Sequence, residues 1–308
     1  MAQPFLTYEQ QIRKLSEDKN LIITDHHYAE ETLKQIGYFA LISGYKDLFK
    51  NPTTKKYKDN TKFEDIVALY KFDENLRELF LKYLLKIERN LRSLISYYFT
   101  EKHGELQSGY LDANNFTPYP KYKPDVSRLI GELDKLANES SDYHYINYHR
   151  NTYKNVPLWV LTNGITFGTL SKFYQLMPQE LQCKVSKNFP SITEIELQKI
   201  LNVITKFRNV CAHNERLFSY KTKNDIPNFD CHKNLNIAKK GNVYKYGKHD
   251  LFAVVISFKY LLKDDDFEKF ENSFTNTLNH YLNESHAIPL NKILSAMGFP
   301  LNWNKINK

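Results

Sequence analysis

An arginine and a histidine near the end of one apolar helix are the side chains of this sequence best fitted to act on a phosphodiester. Both lie in TKFRNVCAHNERLF, Thr205 to Phe218, where Arg208 precedes His213 by five residues and Asn209 sits one helical turn before the histidine. An imidazole titrates near neutral pH, so it can take a proton from a ribose 2′-hydroxyl or return one to a leaving oxygen. A guanidinium presents paired donors that fit phosphate oxygens. On that chemistry His213 is the general acid or base, Arg208 stabilises the pentacoordinate phosphorane, and the Asn209 amide orients the imidazole or the phosphate. Together they supply the minimum needed to cut RNA.

The spacing alone carries little weight, because a chain with this many Arg and His residues contains such a pair about once by chance. The weight comes from the surroundings: a helix rich in apolar positions ends in Arg208, Asn209, His213, Asn214, Glu215 and Arg216. The competing reading is a structural helix end, in which His213 meets the C-terminal dipole and Arg208 pairs with a carboxylate. Asn214 and Arg216 would extend an RNA-binding surface, although Glu215 and Arg216 could equally form an exposed local pair. Arg89 and Arg92 precede no histidine at the motif spacing, so they are phosphate contacts or structural charges. Five residues amount to about 7.5 Å of rise and about 140° of rotation on an ideal helix, so Arg208 and His213 diverge within one copy. Either the helix distorts near Val210, or the phosphate is held between two copies related by a two-fold axis. The second is expected.

The elements that must position these residues are helical. Gly and Pro number only 10 and 11 in 308 residues, too few for the closely spaced turns of an all-β chain. The expected fold is all-α, a multi-helix bundle running as one unit over 1–308. Asp25 caps a helix within Thr24 to Phe49, with bends at Gly37 and Gly44. Thr61 with Glu64 opens a spine over 61–103, where apolar residues from Ile66 to Ile95 recur at spacings of three and four. Asn51 to Asn60 is a polar loop, and Gly104 to Pro124 breaks the pattern before helices over Asp125 to Asn138 and Tyr143 to Tyr153. Pro157 to Met177 forms two short helices at a tight turn, with Trp159 and Phe167 expected in the core. Ser191 with Glu194 opens the motif helix of 191–218, whose apolar face carries Ile195, Leu197, Ile200, Leu201, Ile204 and Phe207. Residues 219–248 form a basic surface loop or short hairpin, and helices within 250–297 close the fold.

Composition narrows the partners. The net charge of +8 favours a polyanion, as do the lysines between Lys221 and Lys248 interleaved with Tyr220, Tyr244 and Tyr246, which would bind single-stranded RNA unless the segment is simply solvated. The 22 Tyr and 20 Phe supply core and, in part, stacking surface. Cys183, Cys211 and Cys231 form no CxxC pair, and Cys211 and His213 point to opposite sides of a helix, so neither a disulfide framework nor a metal site is expected. The start MAQPFLTYEQQIRK has no apolar run and no uncharged stretch approaches a membrane span, which predicts a cytoplasmic protein without a membrane partner.

RNVCAHNERLF resembles the signature of HEPN-superfamily ribonucleases, an Arg and a polar residue followed by His four to six positions beyond the Arg. More specifically, the chain resembles the Abi family of abortive-infection proteins, the AbiD/AbiF-like group. Three further blocks carry the likeness: IGYFALISGYKDLF at Ile36 to Phe49, KIERNLRSLISYYF at Lys86 to Phe99, and PLWVLTNGITFGTLSKFYQLM at Pro157 to Met177. The resemblance implies a HEPN-like helical core and a metal-independent endoribonuclease of phage defence that needs no cofactor and leaves a cyclic phosphate. It also implies a composite site from two motifs. As this chain carries one motif, a homodimer would bring two copies of Arg208 and His213 together, with RNA as substrate and also as a regulatory or neutralising ligand. The alternative is a non-catalytic RNA-binding or interaction module of a defence or toxin–antitoxin system. A helical adaptor for another protein ranks last.

Overall fold

Helices account for nearly all the regular structure in the computed structural model, which describes residues 4–307. The first are α1 (Tyr8–Arg13) and α2 (His26–Ile36), and Asp25 caps α2 as expected, accepting from the Tyr28 N–H at 2.8 Å. α2 stops where the sequence pattern alone ran on. Gly37, at φ +86°, takes a conformation open to glycine, and Phe39–Ser43 continue as a wide π turn rather than as an α-helix to Phe49.

The repeat of three and four between Ile66 and Ile95 is realised as α3 (Phe63–His103), 41 residues and so about 60 Å long. Its start lies one residue past the expected box. Lys62 occupies the cap and its N–H bonds the Asp65 carboxylate at 2.8 Å, while Thr61 is buried beside it. Beyond α3 come α4 (Gln107–Leu111), α5 (Lys123–Asn138), α6 (His144–Tyr153), α7 (Leu158–Leu161), α8 (Phe167–Leu176) and α9 (Gln179–Ser186). Phe167 is buried as expected, but Trp159 is 47% exposed: α7 has a single turn and buries Leu158 and Leu161 instead.

α10 (Glu194–Ala212) carries Arg208 and Asn209 and ends with His213 as its C-cap, short of the expected 218, because Asn214 turns left-handed and stops the helix. It begins at Thr193, whose Oγ1 accepts from the Glu196 N–H at 3.3 Å while the Glu196 carboxylate accepts from the Thr193 N–H at 2.9 Å. Ser191, the expected cap, has φ +61° and cannot serve. The later start also turns Ile195 outward, 56% exposed, while Leu197, Ile200, Leu201, Ile204 and Phe207 are buried.

Residues 219–248 are less of a surface loop than expected. They hold α11 (Asp230–Asn234) and a hairpin of β1 (Lys239–Lys240) with β2 (Val243–Tyr244), and they bury Phe229, Cys231, His232, Leu235 and Ile237. α12 (Leu251–Leu261), α13 (Asp264–Glu284) and α14 (Leu290–Met297) follow. α12 is apolar on nearly every side and sits in the centre, whereas α10 and α13 both pack along α3. Phe80 of α3 meets Phe258 of α12 and Phe270 of α13 at ring separations of 5.6 and 5.2 Å. Most phenylalanines are thus core, while Tyr97, Tyr119, Tyr148 and Tyr153 stay exposed. Among the described residues no helix is long and apolar enough to cross a membrane.

Candidate functional site at the end of the motif helix

Charged residues on the buried stripe of a helix need partners, and α3 carries three: Asp73, Arg77 and Glu88. Glu88, only 3% exposed, is held between two arginines. Its Oε1 accepts from Nη2 of Arg92 and its Oε2 from Nε of Arg208, the latter at 3.1 Å across to α10. Arg92 is further committed, giving Nη1 to the Asn163 carbonyl at 3.1 Å and Nη2 to the Ile165 carbonyl at 2.9 Å. It therefore ties α3 to the turn between α7 and α8 rather than presenting a fork to solvent.

Arg208 keeps 24% of its side chain exposed, and its two Nη groups bond no protein atom among the described residues. One carboxylate between two guanidinium groups leaves the cluster one positive charge in excess, with the free fork of Arg208 at its edge. Such an ion pair fixes the plane of the guanidinium by its Nε and leaves the two donors that match a phosphate. The carboxylate partner of the structural reading is present, and it orients Arg208 without consuming its fork.

His213 caps the C-terminus of α10 and its side chain is exposed, as is that of Asn209. The turn beyond it has the geometry of a Schellman motif: the Glu215 N–H bonds the Val210 carbonyl at 3.0 Å, the Asn214 N–H reaches Cys211 at 3.4 Å, and Asn214 takes φ +56°. Asn214 is thus the left-handed residue that stops the helix at the imidazole. Asn214→Gly should lie within about 0.5 kcal/mol of the parent in urea unfolding, while Asn214→Val should cost about 1–2 kcal/mol. Equal stabilities would remove this role.

The chain after the turn is pinned from α3. The Leu217 and Phe218 N–H groups donate to the Asp73 carboxylate at 2.9 and 2.6 Å, and the same carboxylate accepts from the Tyr45 hydroxyl at 2.6 Å and from Nη1 of Arg77 at 3.0 Å. Arg216, exposed, gives Nη1 to the Gly44 carbonyl. Arg89 is exposed beside Lys86, Asn90 and Ser93 at a cavity of ≈ 460 Å³, on a different face of α3 from Glu88. Cys211 is inert: burial pushes its thiol up to about 12. No three His, Cys, Asp or Glu side chains gather as a metal site requires, among the described residues. Tyr244 is stacked on the buried His232 at 4.8 Å and covered by the Lys239 amine, so its ring faces are taken.

The structure thus brings Arg208 together with Arg92 through Glu88, and places Asn209 and His213 on another face of the end of α10, with Asn214 in the turn beyond it. Sequence reasoning missed Glu88, Asp73, Arg77 and Tyr45. The available signal was two acid–base pairs, Asp73 with Arg77 and Glu88 with Arg92, each four residues apart on the apolar stripe of α3.

A protein-family model described as Abi-like protein matches residues 31–219, a span from α2 to the turn after α10 that takes in every one of these residues. No curated protein matches the chain, and no solved structure does.

Proposed function

Because the chain belongs to the Abi-like protein family, we propose that it is an endoribonuclease of phage defence that cuts RNA with His213 and Arg208. The observation that carries this reading is the state of the two groups: an imidazole open to solvent, and a guanidinium oriented through its Nε by a buried carboxylate with its fork unspent. The imidazole takes the 2′-hydroxyl proton and the freed oxygen attacks the adjacent phosphorus. The P–O5′ bond breaks, the leaving oxygen receives a proton, and a 2′,3′-cyclic phosphate remains. The Arg208 fork stabilises the charge on the phosphorane, and Asn209 orients the imidazole.

Two copies serve this chemistry better than one. α10 is an undistorted helix through Val210, so Arg208 and His213 stay about 140° apart around it. A two-fold axis would bring the imidazole of one copy towards the fork of the other and supply a second imidazole as the acid. No ion or cofactor is required by this scheme.

The test is to incubate the full chain with mixed single-stranded RNA, with and without EDTA, and map the new ends. Cyclic-phosphate ends in both arms support the reading. Salt-sensitive RNA binding with no new ends would replace it by a non-catalytic RNA-binding module, in which Glu88–Arg208 is only an interhelix tie.

A further inference from the structure

The face of α10 that bears His213 is polar for most of its length. Lys199, Asn202, Lys206, Asn209 and His213 follow one another at intervals of three, four, three and four residues, within an arc of about 80° and over about 21 Å. All five are exposed or half-buried, whereas Leu197, Ile200, Leu201, Val203, Ile204, Phe207 and Val210 of the same helix are core. Neither Lys199 nor Lys206 pairs with a carboxylate among the described residues; Lys206 instead bonds the Asn224 amide oxygen at 3.1 Å. These amines are the kind of charge that a solvated face would scatter, yet here they align on the imidazole.

A second wall faces the stripe. Residues 222–228 run beside α10 and are held there by the Thr222 N–H on the His249 carbonyl and the Ile226 N–H on the Lys248 carbonyl, both at 2.8 Å. Between the walls lies a cavity of ≈ 400 Å³ lined by Lys199, Asn202, Asn224, Asp225 and Lys248. Lys248 is only 5% exposed, and its amine bonds the Ile226 carbonyl and, at 2.8 Å, the Asn228 side chain, which leaves its third N–H unbonded among the described residues. Burial, with the nearby Lys199 charge, lowers the Lys248 amine from the usual lysine range against the opposing pull of the Asp225 carboxylate. That carboxylate is engaged by the His249 ring at 2.9 Å.

We infer that the groove between α10 and residues 222–228 is the track of a single-stranded RNA leading to His213, and that the cavity at its far end seats one of that strand's phosphates. The track rests on the nuclease reading only for its direction, since its line of donors ends on the imidazole. A polyanion suits it because every stripe side chain can donate a hydrogen bond, and a single strand suits it because the groove is one helix face wide.

The test uses the full-length His213→Ala chain, so that binding is read without cleavage, and a labelled mixed-sequence single-stranded RNA followed by anisotropy across a salt series. Lys199→Ala with Lys206→Ala should weaken binding tenfold or more and flatten the slope of log K against log salt by about 1.4, two phosphate contacts' worth for a single strand. Lys269→Ala with Lys292→Ala, exposed lysines on α13 and α14, makes the same change in net charge and should shift binding less than threefold. A track pair that behaves like this control, or a parent that binds no RNA, overturns the track. The two proposals fail separately: RNA cut by the wild-type chain with a silent track pair removes only the track, and a strong track effect in a chain that never cuts removes only the nuclease.

Discussion

His213→Ala should keep the fold and lose RNA cleavage by about two to four orders of magnitude in single-turnover rate, the usual worth of a positioned general acid or base. The fold survives because the structural contribution of this residue is its backbone, whose N–H bonds the Asn209 carbonyl at 2.9 Å, while the ring is exposed. Arg208 gives a sharper comparison. Its Nε is committed to Glu88 at 3.1 Å and its fork is free, and a lysine cannot do both. Arg208→Lys should therefore fall nearly as far as Arg208→Ala, about a hundredfold or more, despite keeping the charge. Rates on labelled RNA beside thermal melts decide it. A His213→Ala chain that cuts within twofold of the parent ends the assignment, and an Arg208→Lys chain that does so shows the guanidinium acting as charge alone.

What could be read from the sequence was the part written locally. The repeat on α3, the Asp25 cap and the end of α10 at a polar cluster all depend on neighbours within a few residues, and they stand in the structure. Boundaries slipped where two candidate caps competed: Thr193 displaced Ser191 because only one of them has a backbone conformation that can cap, and Ile195 turned outward with the shift. Trp159 followed the same logic, since a single turn of helix cannot bury both its faces. The partners of the motif were not local. Glu88 lies 120 residues from Arg208, and Asp73 lies 144 from Leu217, so no periodicity connects them. Only the placement of carboxylates on an apolar stripe hinted that something opposite must answer them.

The division of α10 into faces ties these observations together. One face turns Arg208 towards α3, where Glu88 sets its plane, and another carries Lys199 and Asn202 at the cavity beside residues 224–228 and ends at the exposed His213. Neither face contains both groups, so one helix presents the guanidinium and the imidazole in different directions. On the proposed nuclease reading, a second copy is what would bring the two groups to one phosphate.

Asp73→Ala should destabilise the protein by about 3–5 kcal/mol, the cost of stranding a buried charge and its donors, and should take more activity with it than its distance from the imidazole suggests. Four donors converge on this one carboxylate: the Tyr45 hydroxyl, Arg77 and two consecutive backbone N–H groups of Leu217 and Phe218. Burial and the Asp73 charge push the Tyr45 hydroxyl up, so it stays a donor. Removing the acceptor leaves Arg77, whose buried Nη2 already has no partner among the described residues, facing an empty site. It also frees the backbone four residues after His213, so the imidazole loses its fixed approach. Asp73→Asn separates the two effects. It keeps one acceptor oxygen, yet its amide must meet a donor wherever it turns, so it should cost less stability and still slow cleavage at temperatures where it is fully folded. Urea unfolding of both variants, with RNA cleavage measured below each transition, is the check. An alanine variant that unfolds within about 1 kcal/mol of the parent shows that the clamp carries no load, and a folded Asn variant that cuts at the parent rate shows that it does not reach the site.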